Sequence, residues 1–237
     1  MRFYPSDCRV QTSELTVRIS LHVSQLVFFI LFDNAMSEMT QRFVDAIQLA
    51  HSLHWKQTRK SPFHIPYIGH LLRVSGLTIE YQADEDTAIA ALLHDAVEDQ
   101  GGMETADLIR QKFGDRVAGF VLDCSDSFSS KKESKAPWKQ RKEAYIKHLT
   151  VAPSESRLIS ACDKLDNLRS SISSYRVQGE AFWSNFNTNQ DDFLWYYMTM
   201  IDVLDEVGGC PAIDDLKDAH TQFVQLLRPF GNWGNLD

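Results

Sequence analysis

Residues 88–99, AIAALLHDAVED, open with six apolar positions and close on His94, Asp95, Glu98 and Asp99. A run with no polar stripe is a helix surrounded by other elements, not one lying on a surface. If the helix continues through the run, Glu98 stands one turn after His94 and Asp99 one turn after Asp95, in adjacent rows on one side. Four ionisable groups at the end of a buried helix are costly unless something compensates them. A divalent cation does so, and imidazole with carboxylate suits Mn, Fe, Co, Ni or Zn better than Ca. The plain alternative is a charged helix end in solvent.

The chain around this segment also reads as helical. Phe43, Ile47, Ala50 and His54 form one stripe, and Lys60 to Pro66 break it. Tyr67 to Glu80 resume a helix with Ile68, Leu71, Leu72 and Ser75 on one face. Asp84 or Asp86 caps the central helix, and Gly101-Gly102 end it. Glu104–Phe113 with Gly114 behind it, Val117–Leu122, Trp138–Leu149, Leu158–Ile172, Asp191–Val207 and Ile213–Leu227 follow. Pro153 suits a first helical turn. Residues 124–137 are polar, without apolar period, and read as a mobile surface loop. There is no alternating strand pattern and no internal repeat. The expected fold is all-α, one helical domain over residues 36–237 with residues 1–35 as an N-terminal extension.

A chain of 237 residues, 43% hydrophobic, can bury a core of its own. Its net charge of −8 argues against a nucleic-acid partner, since phosphate backbones reward a basic face. Cys8, Cys124, Cys162 and Cys210 are scattered and form no CxxC, as in a reduced, cytoplasmic protein. The apolar run Leu26–Phe32 is seven residues against the ~20 that a bilayer demands, so no membrane association is expected. Residues 1–35 read as a docking helix or strand, or as the product of a start site placed too far upstream. Met36 and Met39 open a more ordinary sequence.

Two further segments change the weight of His94-Asp95. RKSPFHIPYIGH, Arg59 to His70, puts a histidine on the preceding helix, and ACDKLDNLR, Ala161 to Arg169, puts Asp163 in a half-apolar helix. Either alone is more often a core histidine or a simple salt bridge. Together, in the order H…HDxxED…DKLxNxR, they resemble the HD-superfamily phosphohydrolases. The resemblance is to the hydrolase domain of Rel/Spo alarmone enzymes and to the stand-alone small alarmone hydrolases, from about Phe43 to about Leu204. It takes in PWKQRKEAYIKHL and the FWSNF…LWYY stretch.

The resemblance implies a single-domain helical HD fold. It implies a divalent metal, Mn, held by His70, His94, Asp95 and Asp163. Glu98 and Asp99 position and deprotonate the attacking water. Arg59 lies against the nucleobase with Lys60 nearby, Asn167 lies near ribose or phosphate, and Lys164 and Arg169 complete the basic substrate-binding set. The substrate implied is a small nucleotide carrying a 3′-pyrophosphate, (p)ppGpp or its adenosine analogue. The alternatives are another phosphate ester, such as a nucleoside monophosphate or the 2′-phosphate of NADPH, and a non-catalytic nucleotide sensor. The chain departs from the family at Leu71, where proline is frequent, and at Asp166, where His or Tyr is common. Asp166 either repels an anionic ligand or points outward.

Other features carry a weaker expectation. His51, His54 and His64 read as surface or core-edge residues, and His148 and His220 as helix surface. Lys131, Lys132, Lys135, Lys139, Arg141 and Lys142 read as a solvated face, or as a cover for the phosphates with Trp138 over the ligand. Phe182, Trp183, Phe186, Trp195, Tyr196 and Tyr197 read as core. The absence of a Gly-rich phosphate loop and of GxSxG excludes P-loop and serine-hydrolase chemistry.

Overall fold

A computed structural model describes residues 38–60, 63–127 and 136–227. The expectations for residues 1–35 and for Lys131, Lys132 and Lys135 lie outside them. Helix α1, Gln41–His54, begins at Thr40, whose hydroxyl accepts from the Arg42 amide. The Thr40 amide and hydroxyl both donate to the Glu85 carboxylate, which ties the start of α1 to that of α3. After α1 the chain doubles back. The amide of Arg59 donates to the Ile65 carbonyl at 2.9 Å and that of Tyr67 to the Gln57 carbonyl at 3.0 Å, either side of an isolated antiparallel bridge between Thr58 and Pro66. This pins both ends of the segment carrying Arg59 and Lys60.

Helix α2, Ile68–Glu80, follows, then α3, Glu85–Leu93, and the short α4, Ala96–Gln100. Asp84 caps α3, accepting from the amide and hydroxyl of Thr87. Every residue of α3 from Thr87 to Leu93 is buried, as its unbroken apolar character requires. The central helix does not continue unbroken through the motif. It ends at Leu93, and His94 and Asp95 form a turn before α4, with Asp95 at φ −93°, ψ −5°. The backbone stays near helical values, so the Asp99 amide still donates to the Asp95 carbonyl at 3.0 Å. Gly101 (φ 140°) then stops α4; a Cβ there would lie 2.5 Å from the Thr105 hydroxyl.

Helices α5, Met103–Phe113, and α6, Asp115–Asp123, precede α7, Trp138–Leu149, and most of the loop expected over residues 124–137 lies outside the described residues. Helix α8, Ser154–Gln178, is longer than its apolar pattern shows. Polar but buried positions such as Ser156, Ser160, Asp163 and Asp166 interrupt the period at its core-facing turns. A 3₁₀ segment, Gly179–Asn185, precedes α9, Gln190–Val207, and α10, Ile213–Leu227. No strand occurs among the described residues, and the fold is all-α. Helices α2, α3 and α8 pack on one another at the centre. On α2, Leu71, Val74, Ser75 and Thr78 face inward, whereas Leu72 is exposed. No helix of the described residues is long and apolar enough to cross a membrane.

An aromatic cluster fastens α10 to α8 and α9. Phe223 is fully buried and its ring lies within 5.7–6.2 Å, centroid to centroid, of Phe193, Phe182, Tyr175 and Trp183. Phe223→Ala is expected to destabilise the protein by about 3–5 kcal/mol through lost transfer energy plus a cavity. Chemical denaturation followed by circular dichroism measures it, and a loss under about 1 kcal/mol would mean that the cluster does not hold α10.

Candidate metal centre and active-site pocket

His70 comes from the first turn of α2, His94 and Asp95 from the turn between α3 and α4, and Asp163 from the middle of α8. The ligand atoms of His70, His94 and Asp163 lie within 4.8 Å of one another. Nε2 of His70 is 3.2 Å from Asp163 Oδ1 and 3.6 Å from Asp95 Oδ2. Nε2 of His94 is 3.1 Å from Asp95 Oδ2 and 3.6 Å from Asp163 Oδ1. Both imidazoles are buried, and neither Nε2 makes a hydrogen bond despite these short approaches. Buried polar nitrogens are rarely left unsatisfied.

The outer ring nitrogens are occupied. Nδ1 of His94 lies 2.8 Å from the Ala91 carbonyl. A carbonyl only accepts, so Nδ1 carries a proton, and Nε2, facing the carboxylates, is the nitrogen left for a metal. His70 Nδ1 is held by Asp166 at 2.6 Å. The Tyr67 hydroxyl donates to Asp95 Oδ2 at 2.5 Å, and Asn167 Nδ2 donates to Asp163 Oδ1 at 2.6 Å. Arg59 in turn donates to Asn167 Oδ1 at 2.6 Å. Lys164 ion-pairs with Asp163 Oδ2.

Burial lowers the affinity of both histidines for a proton, but the carboxylates outweigh it. Asp163, Asp166 and Asp95 lift His70 to about 9, and Asp95 and Asp163 lift His94 well above the ordinary histidine value. The carboxylates respond in the opposite sense. Burial would raise them, yet the charge of His94 holds Asp95, and that of Lys164 with both imidazoles holds Asp163, well below the usual range. The field inside the cluster is that of two ionised carboxylates drawing positive charge to one point. Two imidazole nitrogens and two carboxylates are a donor set for a divalent transition metal, so these residues fit one.

A pocket of about 370 Å³ opens over this cluster. Asp95, Glu98, Asp99 and Asp163 line one end, with Arg59, Lys60, Lys164 and Asn167 beside them. Asp99 Oδ2 accepts from Gln57 Nε2 at 2.7 Å. Arg141 Nη1 is 3.7 Å from Glu98 and is also bound to Asp126, which Lys142 holds at 2.6 Å. Phe182, Phe186, Phe193, Tyr196 and Tyr197 form another wall. Phe182, Phe193, Tyr196 and Tyr197 also belong to the hydrophobic core, and Phe186 packs against it. The reading of the aromatics as core therefore covers one of their faces only.

Not every expected site residue is gathered here. Arg169 does not line the pocket; its half-exposed guanidinium lies 3.3 Å from Asp215 of α10. Asp166 neither reaches the pocket nor points outward: it is buried behind His70, against Arg73. His54, expected at the core edge, is buried and stacks on Tyr67 with ring centroids 5.4 Å apart. Sequence reasoning missed Gln57, Arg73 and Asp126. Tyr67 was within reach, since PYIGH sets it three residues before His70, on the same side of the chain's entry into α2.

An HD domain family model matches residues 46–182. Over 178 residues the chain is 32% identical to a guanosine-3′,5′-bis(diphosphate) 3′-pyrophosphohydrolase MESH1 of Drosophila melanogaster, covering 74% of this chain and 90% of that one. It is 34% identical over 126 residues to a guanosine-3′,5′-bis(diphosphate) 3′-pyrophosphohydrolase of Aquifex aeolicus, covering 52% of this chain and 17% of that longer protein. A solved structure, described as a metazoan ortholog of SpoT that hydrolyzes ppGpp and plays a role in starvation responses, superposes with a TM-score of 0.63 at 28% identity. It covers 77% of this chain and 96% of its own. A Listeria monocytogenes protein, lmo0812, superposes at 0.54 with the same identity, over 67% and 98%.

Ion binding by this cluster has a direct signature. Mn²⁺ added to protein treated with EDTA is expected to raise the thermal midpoint by mass action, and Asp163→Asn and His94→Ala are each expected to abolish that rise. Differential scanning fluorimetry decides it. An undiminished rise in both variants would place the ion elsewhere.

Proposed function

This chain belongs to the HD domain family, and we propose that it is a metal-dependent hydrolase that removes the 3′-pyrophosphate of a (p)ppGpp- or (p)ppApp-type nucleotide. The observation that carries the reading is the pair of buried, unbonded Nε2 atoms facing Asp95 and Asp163 beneath a pocket lined by Glu98 and Asp99. His70, His94, Asp95 and Asp163 would hold the ion, Mn²⁺ in our reading. Such an ion supplies Lewis acidity at a phosphoryl oxygen and makes water more acidic.

The protein's own groups divide the remaining work. Glu98 and Asp99 stand one turn beyond His94 and Asp95, at the pocket wall, where a carboxylate can orient a water and take its proton. Gln57 fixes Asp99 by donating to its Oδ2. Lys60, Lys164 and Arg59 place positive charge around the site of a leaving pyrophosphate, and phosphoryl transfer depends mainly on such neutralisation and positioning. Asn167 links Arg59 to Asp163, so substrate recognition and the ion's ligands share one hydrogen-bonded unit. The aromatic wall supplies a flat apolar surface for a nucleobase. Lys60 Nζ, 5.9 Å from the Phe186 ring, marks where the basic and aromatic halves meet. Only a few cations need converge, so the net charge of −8 is no obstacle. A cytoplasmic location agrees with a soluble nucleotide substrate.

The sensor alternative drew its support from Asp166 as a source of repulsion. That carboxylate lies behind His70 and is neutralised by Arg73. The hydrolase reading therefore stands without a residue set against it.

Mn-dependent release of pyrophosphate from ppGpp or ppApp, abolished by EDTA, is the expected result of assays run beside NADPH and nucleoside monophosphates. Phosphate release from NADPH alone would keep the metal site and refute the 3′-pyrophosphate assignment. Asp99→Asn is expected to lower kcat by about 10²-fold or more with Mn²⁺ still bound; an unchanged kcat would remove Asp99 from the reaction. Phe186→Ala is expected to raise KM about 10-fold, the size of one lost stacking contact, with a smaller change in kcat. No change in KM would mean that the base lies elsewhere.

A further inference from the structure

Helix α8 places a carboxylate near each nitrogen of one imidazole. Asp163 Oδ1 is 3.2 Å from Nε2 of His70, and Asp166 Oδ2, three residues on, is 2.6 Å from its Nδ1. A spacing of three puts the two carboxylates on one helix face, with the His70 ring between them. An ionised carboxylate can only accept, so Asp166 keeps a proton on His70 Nδ1 and leaves Nε2, facing Asp95 and Asp163, as the nitrogen for a metal.

Asp166 is itself held. Its side chain is 4% exposed, and a carboxylate so placed is costly without full hydrogen bonding. Arg73, one turn after His70 on α2, provides it: Nε lies 2.5 Å from Oδ1 and Nη2 lies 3.2 Å from Oδ2. A guanidinium fork on both oxygens fixes the carboxylate plane. Neither Asp166 nor Arg73 lines the pocket, so neither meets a ligand there.

We infer that Asp166 is a positioning residue of the metal centre, setting the tautomer and orientation of His70, and that Arg73 holds Asp166 in place. The inference rests on the reading of His70 as a metal ligand. Partners behind a ligating imidazole commonly contribute about 10–100-fold to metal affinity. A simple buried ion pair joining α2 to α8 would affect folding stability and leave metal affinity per folded molecule unchanged.

The test titrates Mn²⁺ into the EDTA-treated full chain by calorimetry, with circular dichroism and the metal-free thermal midpoint recorded alongside, for the parent, Asp166→Asn and Arg73→Gln. Asp166→Asn is expected to bind Mn²⁺ about 10–100-fold more weakly while its helical spectrum persists, and Arg73→Gln to show a smaller loss. A folded Asp166→Asn with a Kd within about twofold of the parent overturns the inference. Should Asp166→Asn fail to fold, the unsubstituted chain answers the same question: with Zn²⁺ as a diamagnetic probe, ¹⁵N spectra of the histidines are expected to show the His70 proton on Nδ1. A proton on Nε2 overturns it. A parent chain that binds no Mn²⁺ refutes the metal-ligand reading itself.

Discussion

Two buried imidazole nitrogens facing two carboxylates at 3.1–3.6 Å impose a condition on three separate stretches of chain. Each group is expensive to bury alone, and each is stabilised only if the others arrive at the same point. The packing of α2, α3 and α8 brings them there. The apolar sides of α3 leave it no surface position, so its C-terminal end is carried to the centre of the protein together with His94 and Asp95. The turn at these two residues then aims their side chains at His70 and Asp163, and α4 resumes to carry Glu98 and Asp99 to the pocket wall.

Around the cluster, almost every outward-facing polar atom is tied to one partner with a fixed role. The Ala91 carbonyl sets the His94 tautomer, Tyr67 braces Asp95, and Asn167 and Lys164 occupy Asp163. The two inner Nε2 atoms are the exception. That contrast fits the proposed cation site, since nitrogens and carboxylates turn to one point while their other atoms are already occupied. Beyond this layer the pocket changes character over a few ångströms, from carboxylates through Arg59, Lys60 and Lys164 to an aromatic wall. A molecule with phosphates at one end and a flat ring at the other matches that gradient.

Much of this was legible in the sequence where the signal was local. The all-α fold followed from apolar period, and Asp84 and Gly101 act as helix punctuation through short-range hydrogen bonds and backbone freedom. The ordered motifs led to the charged end of the pocket, because three stretches of chain carry Arg59, Lys60, Asp95, Glu98, Asp99, Asp163 and Lys164. What was not legible depended on distance. Periodicity through residues 88–99 could not show the turn at His94 and Asp95, because the backbone angles there stay close to helical. The extent of α8 was hidden by buried serines and aspartates, polar residues made acceptable by partners on α2, α6 and α7. Arg169 was grouped with the site by its neighbours in DKLDNLR, yet it lies six residues after Asp163 on a straight helix, and its side chain leaves on the side of α10.

Asp166 shows why a motif read alone misjudges its own exceptions. Beside a phosphate site an added carboxylate suggests repulsion, and that reasoning holds if the carboxylate is free. Its charge is answered by Arg73, 93 positions earlier in the chain. On α2, Arg73 occupies the position one turn beyond His70, the place from which a long side chain can reach behind the imidazole. Arg73 and Asp166 are one feature: a cation on α2 makes an anion on α8 tolerable, and the anion then serves the histidine between them. Removal of Arg73 alone would leave Asp166 buried with His70 and, at 4.0 Å, Arg59 as its remaining partners, whereas removal of Asp166 alone would leave Arg73 half in solvent, where a cation costs little. Folding therefore depends on the pair unequally, and the metal centre depends on its buried member.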